Sequence, residues 1–137
     1  MISVAAYAKI NLGLEVLNKR SDGLHEIKTV FARVSLHDII RIEPSTHLSV
    51  LCPMLPNLPQ QQNIVWKAAA LLQREFSVRE GAKIAIEKHI PDGAGLGGGS
   101  SDAASTLRAL CSFWNLSVSP ADLHSLARSL GADVPFF

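Results

Sequence analysis

One run in this chain limits every architecture it can adopt: Pro91-Asp92-Gly93-Ala94-Gly95-Leu96-Gly97-Gly98-Gly99-Ser100-Ser101. Five glycines fall within seven residues from Gly93. Each loses more backbone freedom on folding than any other residue type, a cost that an ordinary turn does not require. Residues 82–88 upstream alternate apolar and polar side chains as a half-buried strand does, and residues 102–114 downstream have helical spacing. A loop that feeds a helix start sits beside unpaired amide donors and the positive end of the helix dipole. With no Cβ in the way, an anion can lie against those amides, and phosphate suits them best. The plain alternative is a flexible turn.

Gly93-x-Gly95-x-x-Gly98 also satisfies the dinucleotide-binding fingerprint, which alone is a weak signal. That fingerprint needs a second strand ending in an acidic residue about 20 positions on. In its place the chain has Leu116-Ser117-Val118-Ser119-Pro120 and another helix. A Walker A loop fails because no Gly-Lys-Ser/Thr closes the motif. The glycine loop of protein kinases joins two strands, whereas this one opens a helix.

The chain has 137 residues and is 47% hydrophobic, enough for one domain with a real core. Thirteen basic against twelve acidic residues give a formal charge of +1, with no basic block, so a nucleic-acid partner is not expected. No stretch approaches the roughly 18 apolar residues needed to span a bilayer, so no membrane role is expected and the simplest location is cytoplasmic. Cys52 and Cys111 lie far apart without metal-ligand spacing and read as buried thiols. Nothing in the pattern fixes an oligomeric state.

Residues 2–18 contain an extended pattern in which Ile10, Leu12, Leu14 and Val16 share one face. Lys9 and Asn11 fall on the other, where a lysine is expected to be solvated. Ser21-Asp22-Gly23 signals a turn into a second strand over 27–35, with His25 just past the hairpin tip. His37-Asp38 reads as a further turn before a short strand over 39–43. Prolines 53, 56 and 59 mark a connecting loop around a strand over 47–52. Asn63 has the chemistry of an N-cap for a helix over 64–75, in which Trp66 is expected on the core side. Ser119-Pro120-Ala121-Asp122 starts another helix, and Gly131 stops it. Phe136-Phe137 read as the beginning of a strand, so the chain is expected to be the front portion of something longer.

A phosphate cradle, a lysine beside an asparagine, and the acid Asp133 after a helix stop make a plausible set for phosphoryl transfer. Five ordered stretches carry a resemblance: Ala8-Lys9-Ile10-Asn11-Leu12, the run 19–26, Asn63-Ile64-Val65, the loop 91–101 with Asp102-Ala103-Ala104, and Gly131-Ala132-Asp133-Val134-Pro135-Phe136. Together they resemble the signatures of the GHMP small-molecule kinases. Within that family they look most like the branch that uses ATP to phosphorylate the 2-hydroxyl of a cytidine-diphosphate-linked methylerythritol in non-mevalonate isoprenoid synthesis.

The resemblance implies an α+β fold like the second domain of ribosomal protein S5, with a left-handed β-α-β crossover, and residues 1–137 as the N-terminal ATP-binding domain without the substrate-side C-terminal domain. By carry-over, Asp133 would take the hydroxyl proton, and Lys9 would hold that carboxylate and steady the charge on the transferring group. Asn11 would orient the acceptor. His25 would hydrogen-bond cytosine, and Leu24 would pack on its ring where the family commonly has an aromatic residue. Asn63 would lie near adenine. Pro91, Asp92, Gly93, Ala94, Gly95, Leu96, Gly97, Gly98, Gly99, Ser100 and Ser101 would wrap the ATP phosphates, with Mg²⁺ bound through those phosphates. Other readings of the same residues are another GHMP kinase, a nucleotide-binding or structural piece without catalysis, and an S5-like RNA-binding module, which the +1 charge disfavours.

Overall fold

Two long strands, β1 (Ile2–Lys19) and β2 (His25–Ser45), pair antiparallel and form one side of a four-stranded sheet. This computed structural model describes residues 1–19, 21, 23 and 25–137, with the side chains of Leu14, His25 and Ile27 outside the description. Strand β3 (Ser49–Leu51) leads through helix α1 (Ile64–Glu75) to strand β4 (Gly81–Glu87), with which it pairs parallel, so the three make a β-α-β crossover. Strand β4 also pairs antiparallel with residues 39–45 of β2, which gives the sheet order β1-β2-β4-β3. Helices α2 (Gly98–Phe113) and α3 (Pro120–Leu130) come next, and a 3₁₀ turn (Val134–Phe136) closes the described chain. Among the described residues no helix is long and apolar enough to cross a membrane.

The core lies between the sheet and the helices. Ile40, Ile42, Ile84 and Ile86 on the inner face of the sheet meet Leu72 of α1 and Leu107 and Leu110 of α2, all buried. Ala68, Ala69, Ala103 and Ala104 at the helix faces are also buried, and their small side chains let helix backbones approach closely. Local chemistry sets the helix starts. The Asn63 side chain accepts from the Val65 N–H at 2.9 Å, and the Ser119 hydroxyl accepts from the Asp122 N–H at 3.1 Å. Pro120 occupies the first turn of α3, and the Gly131 N–H reaches back to the Ala127 carbonyl at its end.

Several sequence expectations are corrected. His37 and Asp38 do not turn; both lie within the continuous strand β2, where the fully buried Asp38 carboxylate is held by donors from the segment after β4. The strand expected over 47–52 shrinks to Ser49–Leu51. Trp66 is half-buried and lies outside the core, whose α1 residues are Val65, Ala68, Ala69 and Leu72. Phe136 and Phe137 do not begin a strand. The 3₁₀ turn folds Phe136 against the Phe31 ring at 4.8 Å, and Arg33 and Arg108 both donate to the Phe137 carbonyl. Cys52 and Cys111 are free and half-buried, and burial pushes both thiols up from their ordinary range.

The face assignment of β1 also fails beyond Ala8, where Lys9 is buried and residues of both faces from Asn11 on are exposed. Lys9 is only 5% exposed, whereas Leu12 and Val16 are 65% and 60% exposed. Register shifts between Tyr7 and Lys9 and between Asn11 and Gly13 break the strict two-residue alternation on which the expectation relied. Among the described residues β4 pairs only with 39–45 of β2, so the outer half of the β1–β2 ribbon extends beyond the rest of the sheet, where Leu12, Val16 and Val30 are exposed.

Candidate active site

The irregularity after Tyr7 turns Lys9 inward against the glycine loop. Its backbone N–H donates to the Leu96 carbonyl at 2.9 Å, so strand and loop are tied directly. Its ammonium lies 3.7 Å from Asp133 Oδ2, 3.4 Å from Asn11 Oδ1, and 4.6 Å from the centre of the Phe31 ring. One cation thus joins a carboxylate, an amide oxygen and an aromatic face. Asp133 stands between the end of α3 and the 3₁₀ turn, its side chain makes no capping bond, and it is 42% exposed toward solvent.

Gly93, Gly95 and Gly97 adopt φ of +70°, +74° and +71°, the left-handed region that glycine enters without strain. Gly97 is the N-cap of α2, and the first helical bond runs from the Ser101 N–H to the Gly97 carbonyl at 2.9 Å. The amides of Gly98, Gly99 and Ser100 precede that bond and have no partner within the helix. A Cβ on Gly97 would stand 2.8 Å from the Phe137 ring and 3.1 Å from Lys9 Cγ, so the backbone there is packed as closely as bare backbone allows.

A cleft of about 440 Å³ is lined by Lys9, Asn11, Ile64, Lys88, residues 91–100 and Asp133. The lysine, the asparagine, the acid and the glycine run therefore share one space. Ser101 is buried and does not line it. Asn63 is buried too, with its side-chain oxygen committed to the α1 cap, and its neighbour Ile64 reaches the cleft instead. Leu24 and the His25 side chain lie outside the described residues. A separate groove of about 200 Å³ between α2 and α3 is bordered mainly by apolar residues such as Leu107, Leu123 and Ala127, and it lacks the converging amides.

Sequence reasoning missed a buried charge cluster beneath the cleft. Lys88 Nζ donates to Asp38 Oδ2 at 2.5 Å and to Asp102 Oδ2 at 2.9 Å. Asp38 Oδ1 accepts from the backbone N–H groups of His89 at 2.5 Å and Ile90 at 2.8 Å. Burial alone would push the Asp38 carboxyl up, but the Ile90, Lys88 and His89 donors reverse this and hold it below the usual carboxylate range. Burial likewise works against the charge on Lys88, and the two carboxylates outweigh it and raise its pKa. Asp102 has only a share of one lysine, and its Oδ1 is buried with no partner among the described residues. Burial, with a smaller contribution from the Asp38 charge, pushes it up to about 7 despite Lys88.

That difference carries a measurable pH dependence. In the unfolded chain the Asp102 carboxyl ionises near 3.8, so between that value and about 7 the native state holds a proton that the unfolded state has released. Stability therefore falls as pH rises through this window. Asp102→Asn cannot ionise and loses that slope. Thermal melting is expected to show the variant more stable than the original protein at pH 8, with the two converging toward pH 4. A variant that melts lower at pH 8 would contradict the assignment.

Known proteins share the sequence pattern and the fold. The sequence profile described as the GHMP kinases N terminal domain matches residues 63–137. The chain belongs to the GHMP kinases. A Chlorobium luteolum protein named 4-diphosphocytidyl-2-C-methyl-D-erythritol kinase is 49% identical over 99% of this chain. A Chlorobaculum tepidum protein of the same name is 48% identical over 98%. The chain spans about half the length of these relatives, 47% in both cases. A crystal structure of 4-(cytidine 5'-diphospho)-2C-methyl-D-erythritol kinase superposes with a TM-score of 0.83 at 43% identity, over 99% of this chain and 48% of that one. A mevalonate kinase structure shares the fold, with a TM-score of 0.74 at 15% identity over 99% of this chain and 47% of that one. The α+β GHMP kinase fold expected from the sequence motifs is thus present, with its glycine loop inside the matched residues.

Proposed function

We propose that residues 1–137 form the N-terminal, ATP-binding domain of a kinase that phosphorylates the 2-hydroxyl of 4-diphosphocytidyl-2-C-methyl-D-erythritol. The observation that carries this reading is the Lys9–Asp133 ion pair in the same cleft as the Gly93–Gly99 backbone. Three left-handed glycines and a Gly97 with no room for a Cβ fit a polyphosphate that must lie directly on main-chain amides. Magnesium would arrive on those phosphates and neutralise part of their charge.

Asp133 takes the proton of the acceptor hydroxyl as its oxygen bonds to the terminal phosphorus and the bond to the departing nucleoside diphosphate breaks. Lys9 holds the carboxylate in place and stabilises charge on the transferring group, and Asn11 fixes the lysine from the other side. Leu24 and His25 are assigned to the cytosine, and Asn63, with Ile64, to the adenine end. The names of the relatives support this choice of acceptor.

The test is direct. Titration of the protein with MgATP by calorimetry is expected to give saturable binding. A coupled ADP-release assay on a full-length version that carries the C-terminal domain is expected to show turnover with the cytidine-linked polyol and none with mevalonate. Absence of MgATP binding, or turnover with mevalonate alone, would overturn the reading.

A further inference from the structure

The two ends of the glycine loop are joined by charge. Lys88 stands three residues before Pro91, Asp102 follows Ser101, and the Lys88 ammonium bonds Asp102 while also bonding Asp38 of β2. We propose that Asp38 is a positioning residue for the phosphate cradle, acting through a buried clasp of Asp38, Lys88 and Asp102 that fixes both the entry and the exit of the loop.

Asp38 binds three consecutive residues at the loop entry: the side chain of Lys88 and the backbone N–H groups of His89 and Ile90. Ile90 in turn is the seat of the cradle. A Cβ on Gly98 would stand 2.9 Å from Ile90 Cγ2, so the backbone of the first helical residue rests directly on that side chain. A carboxylate that sets the Ile90 N–H therefore sets the height of the Gly98 amide. Asp38 is fully buried and Asp102 is 3% exposed, and neither lines the cleft, so any effect of these carboxylates on a ligand passes through the loop or through Lys88, which does line it. Glycines at positive φ have several backbone states of similar energy. A loop already held in one of them does not lose that freedom when its ligand binds.

The nucleotide part of this inference rests on the kinase reading above; the loop part does not. Three variants, Asp38→Asn, Asp102→Ala and Asp102→Asn, test both. Amide hydrogen exchange in nucleotide-free protein is expected to quicken at least tenfold in Asp38→Asn at the Lys9 and Ser101 amides, which donate to the Leu96 and Gly97 carbonyls of the loop, relative to amides of α1. Asp102→Ala should quicken the same residues, and Asp102→Asn, which keeps an acceptor for Lys88, should restore slow exchange. In the ADP-release assay Asp38→Asn is expected to raise the KM for ATP at least tenfold with kcat within about threefold. A merely structural ion pair would loosen α1 and the loop alike and leave no such split. If Asp38→Asn does not fold, the Ala and Asn pair at position 102 decides the matter. Equal exchange of the Lys9 and Ser101 amides in Asp102→Ala and Asp102→Asn would overturn the clasp whatever ATP does. Selective loosening of the loop in a protein that binds no MgATP would uphold the clasp and remove the kinase reading.

Discussion

Asp133→Asn is expected to lower kcat by about 10²–10⁴-fold, the range that a positioned general base contributes, while the KM for ATP stays within a few-fold. The substitution keeps the size and shape of the side chain and removes its ability to take a proton. Because the Asp133 side chain makes no capping bond and is 42% exposed, and Asn keeps an amide oxygen facing the Lys9 ammonium, the melting temperature should fall only slightly. The backbone at this position is held by neighbouring contacts instead: the Val134 N–H reaches the Gly131 carbonyl, and the Phe136 N–H reaches the Asp133 carbonyl at 3.1 Å.

The same pair gives an internal control. Lys9 also touches Asn11 and the Phe31 face, so in the Asn variant its ammonium keeps two of its three partners and remains in the cleft. Calorimetric binding of MgATP should therefore survive in Asp133→Asn. Unchanged kcat in the variant would eliminate Asp133 as the base. Loss of binding together with activity would show instead that the carboxylate supports the cleft and not the proton transfer.

Legibility from sequence divides along a physical line. The caps of α1 and α3 were legible because Asn63 and Ser119 act on backbone two or three residues away, whereas α2 begins at Gly98, four residues before the helical spacing read from 102. The glycine turns ahead of the α2 start were legible because glycines in sequence are enough to mark left-handed backbone before a helix. Lys9 was identified through its motif, yet its expected solvent exposure was wrong, since a register irregularity set by pairing with β2 turns it inward. Asp38 and Lys88 were opaque for a different reason. Fifty positions separate them, and each alone looks ordinary: an aspartate beside a histidine reads as a turn, and a lysine at a strand end reads as solvated. Only the antiparallel pairing of β2 with β4, which sets Ile39 opposite Glu87, brings them together.

Gly97→Val is expected to weaken MgATP binding by about 100-fold and to destabilise the fold as well, whereas Gly99→Ala should do neither. At φ +71° a β-branched residue is strained by on the order of 1–3 kcal/mol before any contact is counted. Its Cβ would then meet the Phe137 ring at 2.8 Å and Lys9 Cγ at 3.1 Å. Neither can yield freely. Phe137 is buried with its ring 5.0 Å from that of Phe136, and Lys9 is pinned at its own backbone N–H by Leu96 of the same loop. Relief must come from moving the loop, which withdraws the Gly98 and Gly99 amides from a bound phosphate. Hydrogen bonds to a charged group contribute roughly 1.5–3 kcal/mol each, so weakening one or two of them accounts for the expected loss. Gly99 provides the contrast. It lies inside α2 without a left-handed φ, and its added Cβ would sit 3.8 Å from Ile64, an ordinary contact in a helix that favours alanine over glycine by about 1 kcal/mol. Calorimetry and thermal melting on the two variants separate the outcomes. Equal binding by Gly97→Val and the original protein would mean that phosphate does not rest on this backbone, and the kinase reading would lose its support at the same stroke.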